Sequence, residues 1–188
     1  NYEKKCVSYK PKGLRCAEME FFMQKKVYQL IVDNTSGVLS RISGLFSRRG
    51  YNIESITAGV TADPRFTRIT IVTSGDDEIL EQIEKQVAKL VDIRDIRELK
   101  PEESVYRELI LVKVKADATQ RPGIIAVVDS FRAKIVDFAS ESLVIELTGN
   151  QQKLEAFIGL MNDYGILELA RTGIAGLGRG CDHIINIE

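Results

Sequence analysis

The stretch DNTSGVLS at positions 33–40 has the residue types of an anion-binding turn. Asn34, Thr35 and Ser36 carry side chains that cap helices, and Gly37 lets a ligand or another chain approach its backbone closely. An apolar-periodic segment follows, so the free N–H groups and positive dipole end of a helix would face this turn. Two interpretations stay open: a turn that holds a carboxylate or phosphate, and a capped helix with no ligand.

The chain offers little to a metal centre or a nucleophilic catalyst. Its single histidine is His183, and its three cysteines, Cys6, Cys16 and Cys181, are far apart. These residues do not match the usual zinc ligand sets, and no G-x-S-x-G accompanies the histidine for a catalytic triad. We therefore expect no metal site and no catalytic residues. The odd number of dispersed cysteines favours a reducing cytoplasm over a disulfide framework.

The glycine-rich run GIAGLGRG at 173–180 has the composition of a nucleotide loop without its spacing. Gly176, Gly178 and Gly180 are each two apart, which does not meet G-x-G-x-x-G, and no apolar-periodic helix follows. We expect a flexible or partner-ordered tail here.

Composition places the 188-residue chain among ordinary globular proteins. It is 44% hydrophobic and 28% charged, with a net charge of −1. This balance does not predict nucleic-acid binding, and no apolar run reaches the length of a membrane span. Residues 1–26 differ: they hold seven Lys/Arg, three acidic residues and no clear period. We expect a leader that is disordered or foreign to the natural protein; a basic docking arm is the alternative.

Hydrophobic periodicity predicts a β-α-β-β-α-β order over residues 27–99, which is the ferredoxin-like unit. Gly50 is expected to end the first helix. The residues predicted to form the apolar faces are Val38, Ile42, Leu45 and Phe46 on the first helix, and Ile79, Ile83, Val87 and Leu90 on the second.

The same order then repeats after a polar linker at 100–105. The second unit is predicted over 106–175, followed by the Gly-rich tail at 176–188. The fold class is thus α+β, with two ferredoxin-like domains in tandem. Each half is small, and an open sheet leaves edges to cover, so we expect a dimer or larger assembly. RNA binding is not expected, because the third strand offers only Phe66 for base stacking.

The sequence resembles a known family. The run DNTSGVLSRISGLFSRRGYNIESITAG is similar to the first ACT domain of the regulatory (small) subunits of acetolactate synthase, also called acetohydroxyacid synthase. DPRFTRITIVTSGDDEILEQIEKQVAKLVDI resembles the rest of that domain. RELILVKVKA, ELTGNQQKLEAF and RTGIAGLGRG resemble the C-terminal domain. The resemblance covers about residues 25–180, and residues 1–22 have no counterpart in it.

The resemblance implies a cytoplasmic regulator and not an enzyme. Members of this family activate a thiamine-diphosphate-dependent large subunit and confer feedback inhibition by branched-chain amino acids, chiefly valine. Thiamine diphosphate, magnesium and FAD are then expected on the large subunit, with no cofactor on this chain. The expected partners are a second copy through the ACT domains, the large subunit and the amino-acid effector, with neither nucleic acid nor membrane.

The resemblance also implies an effector site shared by two chains. Because Asn52 begins the next strand, we expect it near the far end of the helix, out of reach of its own turn but able to face a partner's turn. Ser40, about one helical turn after Gly37, is a further candidate for a residue that affects feedback sensitivity. The implied effector-binding residues are Asn34, Gly37, Val38 and Leu39 of one chain, with Asn52 and Ile53 of the other.

Two rival functions would each require features of their own. An ACT-type amino-acid sensor that acts on another enzyme or on transcription is the alternative; a DNA-binding version needs a helix-turn-helix or basic reading helix, which the pattern does not offer. A small enzyme on a ferredoxin-like fold needs a catalytic constellation, which the sequence also lacks.

Overall fold

Two successive β-α-β-β-α-β units and one additional strand make up the part of the chain that the computed structural model describes, residues 24–181. The first unit consists of β1 (Gln24–Asp33), α1 (Val38–Arg49), β2 (Ser55–Val60), β3 (Phe66–Gly75), α2 (Asp77–Val87) and β4 (Ile93–Glu98). The second consists of β5 (Ser104–Lys115), α3 (Arg121–Phe131), β6 (Lys134–Phe138), β7 (Ser142–Gly149), α4 (Gln151–Asn162) and β8 (Ile166–Arg171), followed by β9 (Ala175–Gly178). The predicted α+β class and tandem arrangement are confirmed.

Each unit forms an antiparallel sheet with its helices on one face; the first sheet has four strands, and the second has four corresponding strands with β9 added to β5. The strand order is β2-β3-β1-β4 in the first sheet and β6-β7-β5-β8 in the second. The two sheets share one irregularity: the register shifts between Ile31 and Val32 where β1 pairs with β4, and between Lys113 and Val114 where β5 pairs with β8. A bulge at the same place in both copies supports an internal duplication.

The core of each unit lies between the sheet and the helices. The four residues predicted for the inner face of α1 are all buried. On α2, Ile83 and Val87 are buried as expected, but Leu80 is fully buried while Ile79 is 36% exposed. The prediction for Ile79 was wrong because α2 begins at Asp77, after the cap at Asp76, and this start turns Leu80 toward the sheet.

The first strand begins earlier than the sequence pattern indicates. Gln24 and Lys25 pair with Gly75 and Ser74 in the ladder between β1 and β3, so β1 includes the last three residues of the predicted 1–26 leader. A ladder satisfies backbone groups whatever the side chains are, so a strand can continue beyond its apolar pattern. Residues 1–23 of the predicted leader lie outside the described residues.

Part of the predicted Gly-rich tail is a strand. Residues 175–178 form β9 and pair antiparallel with residues 104–107, the first part of β5. The expectation of a flexible or partner-ordered tail is therefore wrong at these residues, because the start of β5 extends past β7 and offers unpaired backbone groups to β9. Residues 182–188 lie outside the described part of the chain.

The paired segments 104–107 and 175–178, here called the β5–β9 ribbon, join the two units. Tyr106 and Ile174 pack against Val27, Val72 and Leu99, which form a small cluster of buried residues on the face of the first sheet that the helices leave open. The ribbon thus covers part of the second face of the first sheet, around Val27 and Val72.

The segment between β8 and β9 also contacts the edge strand β2. Thr57 Oγ1 donates a hydrogen bond to the carbonyl of Thr172 at 3.0 Å. Gly173 follows with a φ of +81°, and a Cβ there would lie 2.7 Å from Thr57 Oγ1. Glycine suits this position because it tolerates the left-handed backbone and leaves room for β2.

Gly173→Ala should destabilise the protein by about 2–4 kcal/mol, since it combines a left-handed backbone penalty with overpacking against β2. The matched control is Gly180→Ala, which has the same φ of +81° but nothing within 4 Å of the added methyl group. It should cost only about 1–2 kcal/mol. Urea unfolding of both variants measures the difference. Equal losses would show that Gly173 does not pack against β2.

Candidate functional site

The turn between β1 and α1 forms one wall of a small cavity. The cavity has a volume of about 280 Å³ and lies between this turn and the start of β3. Its lining comprises residues 32–40 together with Thr67 and Ile69. The structure therefore brings five predicted residues together in one cavity: Asn34, Gly37, Val38, Leu39 and Ser40.

The start of α1 has no side-chain cap. Gly37 is the N-cap residue, with a φ of +85°, and no side chain accepts a hydrogen bond from the first turn. The helices α2 and α4 differ, because Asp76 and Asn150 accept from the backbone N–H groups of Ile79 and Lys153. None of the three residues at 34–36 caps α1, because the N-cap position falls on Gly37. The open N–H groups of α1 leave a partial positive charge beside the cavity.

Asn34 is held in place by the β2–β3 connection. Its amide nitrogen donates to the carbonyl of Pro64 at 2.9 Å, and its amide oxygen accepts from Thr67 Oγ1 at 3.1 Å. An amide has two N–H donors and two acceptor lone pairs, so Asn34 retains one of each for a further partner. The side chain is thus both fixed and able to bind.

Two arginine–carboxylate pairs frame the turn. Arg94 contacts Asp33 through two hydrogen bonds of 2.7 and 2.6 Å, and Arg41 contacts Asp92 through two of 2.5 and 2.7 Å. The hydrogen bonds from Arg41 lower the pKa of the Asp92 carboxyl below its ordinary value. Arg41 Nη1 also lies 3.0 Å from where a Cβ of Gly37 would be, so a side chain at Gly37 would displace this guanidinium.

Apolar residues form the floor and rim of the cavity. Val32, Val38 and Ile69 are buried, whereas Leu39 is 49% exposed. The cavity therefore has a fixed apolar base and a hydrophobic side chain at its mouth, which suits a short aliphatic group next to a charged one.

Asn52 and Ile53 lie away from this cavity on their own chain. The carbonyl of Asn52 accepts from Thr73 Oγ1 at 2.6 Å, and Ile53 packs half-buried against the core of the first unit. Thr73 is six residues along β3 from Thr67, which corresponds to about 20 Å at the usual rise of a strand. One chain alone does not bring the six predicted residues together.

The sequence pattern did not predict the two arginine–carboxylate pairs beside the turn. Arg41 is four residues after Gly37, so helical spacing could have placed it near the turn. Asp92 and Arg94 gave no such signal, because they follow α2 and reach the turn only through the pairing of β4 with β1.

Within residues 24–181 we find no cluster of three or more His, Cys, Asp or Glu residues able to hold a metal ion. None of the helices in this range is long and apolar enough to cross a membrane.

Comparison with known proteins gives a consistent result over both units. A family model described as the AHAS small subunit-like ACT domain matches residues 28–95, and a model of the small subunit of acetolactate synthase matches residues 107–180. The acetolactate synthase small subunit of Mycolicibacterium smegmatis is 49% identical over 151 residues, 80% of this chain and 89% of that protein. The chain belongs to the acetolactate synthase small-subunit family.

Two further relatives agree with this family membership. The probable acetolactate synthase small subunit of Methanothermobacter thermautotrophicus is 45% identical over 155 residues, 82% of this chain and 92% of that protein. The crystal structure of the acetolactate synthase small subunit from Thermotoga maritima matches with a TM-score of 0.78 and 40% identity, over 85% of this chain and 99% of that one.

The predicted family is therefore confirmed, and the first unit of this small subunit is an ACT domain. The chain is a regulatory subunit, and its ACT domain points to amino-acid binding. The six effector-binding residues and Ser40 stay predictions.

In the second unit of the small subunit, the turn before α3 corresponds to the α1 turn, and side chains of the chain itself bind its backbone groups. Asp117 Oδ1 accepts from the backbone N–H groups of Thr119 and Gln120 at 2.8 and 2.9 Å. Arg121 crosses the turn and donates to the carbonyls of Ala116 and Ala139. Hydrogen bonds, first of all from the Thr119 hydroxyl, lower the pKa of Asp117. Gln120, the N-cap residue of α3, has no side-chain cap either, but Asp117 and Arg121 already occupy backbone groups of this turn.

Gly123, the counterpart of Gly37 in the duplication, has a packing role. A Cβ there would lie 2.7 Å from the hydroxyl of Tyr164. The glycine therefore makes room for this tyrosine and does not open the helix start.

Asp92→Asn should lower stability at neutral pH and leave it nearly unchanged in acid. The pKa of Asp92 is depressed in the folded state, so its stabilisation is present above the unfolded pKa of about 3.9 and is lost as the pH falls through the folded value. Urea midpoints from pH 7 down to pH 3 should show the gap between wild type and variant closing. Asp137→Asn, at an exposed position on β6, is the control; a gap independent of pH would contradict the ion-pair assignment.

Proposed function

We propose that this chain regulates acetolactate synthase by binding a branched-chain amino acid, valine in the first instance, at the α1 turn. The regulated partner is the catalytic large subunit, which carries thiamine diphosphate, magnesium and FAD. The small subunit activates it and conveys feedback inhibition when the amino acid is bound. The observation that carries this proposal is the uncapped start of α1 beside a cavity with an apolar floor.

The chemistry of the turn fits an amino acid group by group. The carboxylate accepts hydrogen bonds from the backbone N–H groups after Gly37, where the helix dipole favours negative charge. The remaining acceptor capacity of the Asn34 amide is available to the ammonium group. Val38 and Ile69 form the base of the cavity, and Leu39 at its mouth covers the aliphatic side chain.

A second copy completes the site in this proposal. Asn52 and Ile53 of one chain face the turn of the other, since about 20 Å of β3 separates them from the turn on their own chain. An amino acid that contacts both chains favours the dimer arrangement in which the two halves meet. Regulation requires such a difference in affinity between two states.

The family relationship supports the large subunit as partner, because relatives over most of the chain are named small subunits of acetolactate synthase. The alternative is an ACT-type sensor that acts on another enzyme or on transcription. It differs in one measurable way, since it would not activate a thiamine-dependent large subunit.

Gly37→Asp should abolish valine binding and valine inhibition while the large subunit is still activated. The new side chain meets Arg41 and places a carboxylate where the effector's carboxylate binds. Isothermal titration should show at least a tenfold loss of valine affinity, or about 1.4 kcal/mol. Gly180→Asp is the control, because it adds the same charge at the same φ in open space. Unchanged affinity in Gly37→Asp would mean that the site lies elsewhere, and failure of the wild-type chain to activate the large subunit would favour the sensor.

Mixed dimers test whether the site spans two chains. Gly37→Asp damages the turn and Asn52→Ala damages the distal half, so neither homodimer should bind valine. After mixing and re-equilibration, each heterodimer contains one site with both halves intact, which should restore about a quarter of the wild-type sites. Titration of the mixture measures this fraction. No recovery from well-mixed dimers would indicate a site within one chain.

A further inference from the structure

A second cleft lies between the two units, away from the α1 turn. It has a volume of about 590 Å³ and separates the edge of the first sheet from one face of the β5–β9 ribbon. Its walls are β2 and β3 on one side and the ribbon on the other. The lining consists of residues 57–62, Arg68, Thr70, Val105, Arg107 and residues 175–177.

Arg68 is a half-buried cation with no counter-ion among residues 24–181. It projects from β3 on the face of the sheet away from the helices, in register with Ile31 of β1 and Gly59 of β2. With the amide oxygen of Gln29 turned toward it, Nε donates to that oxygen at 3.2 Å. Burial lowers the pKa of the guanidinium. A buried charge is normally paired, so a neutral amide as its sole partner leaves Arg68 short of an anion.

Arg107 supplies a second positive charge from the opposite wall. It lies on the same ribbon face as Val105, and their cross-strand partners on β9 are Ala175 and Leu177. Its guanidinium donates to the carbonyl of the preceding residue, Tyr106, at 2.6 Å, and has no carboxylate partner within the described part of the chain. Two arginines without counter-ions therefore line one cleft.

The lining of the cleft contains no acidic residue. The neighbouring cavity between the units is different: of about 600 Å³, it is lined by Glu54, Glu108 and Glu155 as well as by Lys25 and Arg171. An ammonium group would find no charged partner in the arginine cleft. The cleft therefore selects an anion and disfavours a zwitterionic amino acid.

Aliphatic side chains complete the lining. Val60 and Leu177 are exposed at the cleft, and Val105 is half-buried beside them. They provide contact area for a short hydrocarbon group next to the anionic one.

We propose that this cleft binds a small organic anion, with a carboxylate or phosphate group, a short aliphatic part and no amino group. Arg68 and Arg107 bind the anionic group, and Val60, Val105 and Leu177 contact the aliphatic part. A ligand bound there touches both units, so it stabilises their docking on each other. The site is separate from the effector turn and does not depend on the proposed function.

Isovalerate and valine form a matched pair of probes, because they differ only in the amino group. Titration of isovalerate into the full chain should show binding, and Arg68→Gln should weaken it at least tenfold. Arg107→Gln, at an exposed position, should weaken it several-fold. Arg65→Gln is the control, since Arg65 is an exposed arginine already paired with Asp63, and it should bind as wild type does.

Amide NMR locates the binding. Isovalerate should shift the resonances of Gly59 and Gly176, which line the cleft, and leave Gly37 unaffected. Inorganic phosphate is titrated in parallel: Arg68-dependent shifts of the same glycines with phosphate alone assign the phosphate group as the preferred anion. The proposal is overturned if isovalerate affinity survives in Arg68→Gln, if the shifts are confined to Gly37, or if neither isovalerate nor phosphate binds. A failed effector site would instead appear as lost valine binding, with these shifts intact.

Discussion

The arrangement of the two units depends on one constraint, which is that the central strand β1 is buried on both faces. Its residues Val27 to Val32 are each at most 8% exposed. An antiparallel sheet covered by helices on one side normally shows water to the other. Here Tyr28, Leu30 and Val32 meet the helices, while Val27 lies under the β5–β9 ribbon. The second unit therefore covers a face that the first unit cannot cover alone.

The duplication produced two copies that differ in one turn. Both copies keep the same strand order and the same bulge, so their sheets present the first helix in the same way. Gly37 leaves the start of α1 open, whereas Asp117 and Arg121 fill the corresponding turn before α3. The two copies thus differ in the side chains at this turn, while the arrangement of their hydrophobic cores is similar.

Local pattern was enough to predict the order of the elements and the inner face of α1, because periodicity reports burial directly. The pattern misjudged Ile79 and Leu80, because their positions depend on where the cap of α2 falls. It also missed β9, because this short glycine-rich run forms a strand only through its pairing with β5. The turn's sequence pointed to an anion site, but the pairs Arg41–Asp92 and Asp33–Arg94 join residues more than 50 positions apart. No local sequence pattern predicts such pairs.

Gly173 and the ribbon have a mechanical consequence. Two segments of the chain lie between the units: the one before β5 and the one between β8 and β9. Near the first, Tyr106 packs against Leu99 of the first unit. In the second, the carbonyl of Thr172 accepts a hydrogen bond from Thr57 on β2. Two separated attachments restrict rotation of the second unit relative to the first more than the linker alone would.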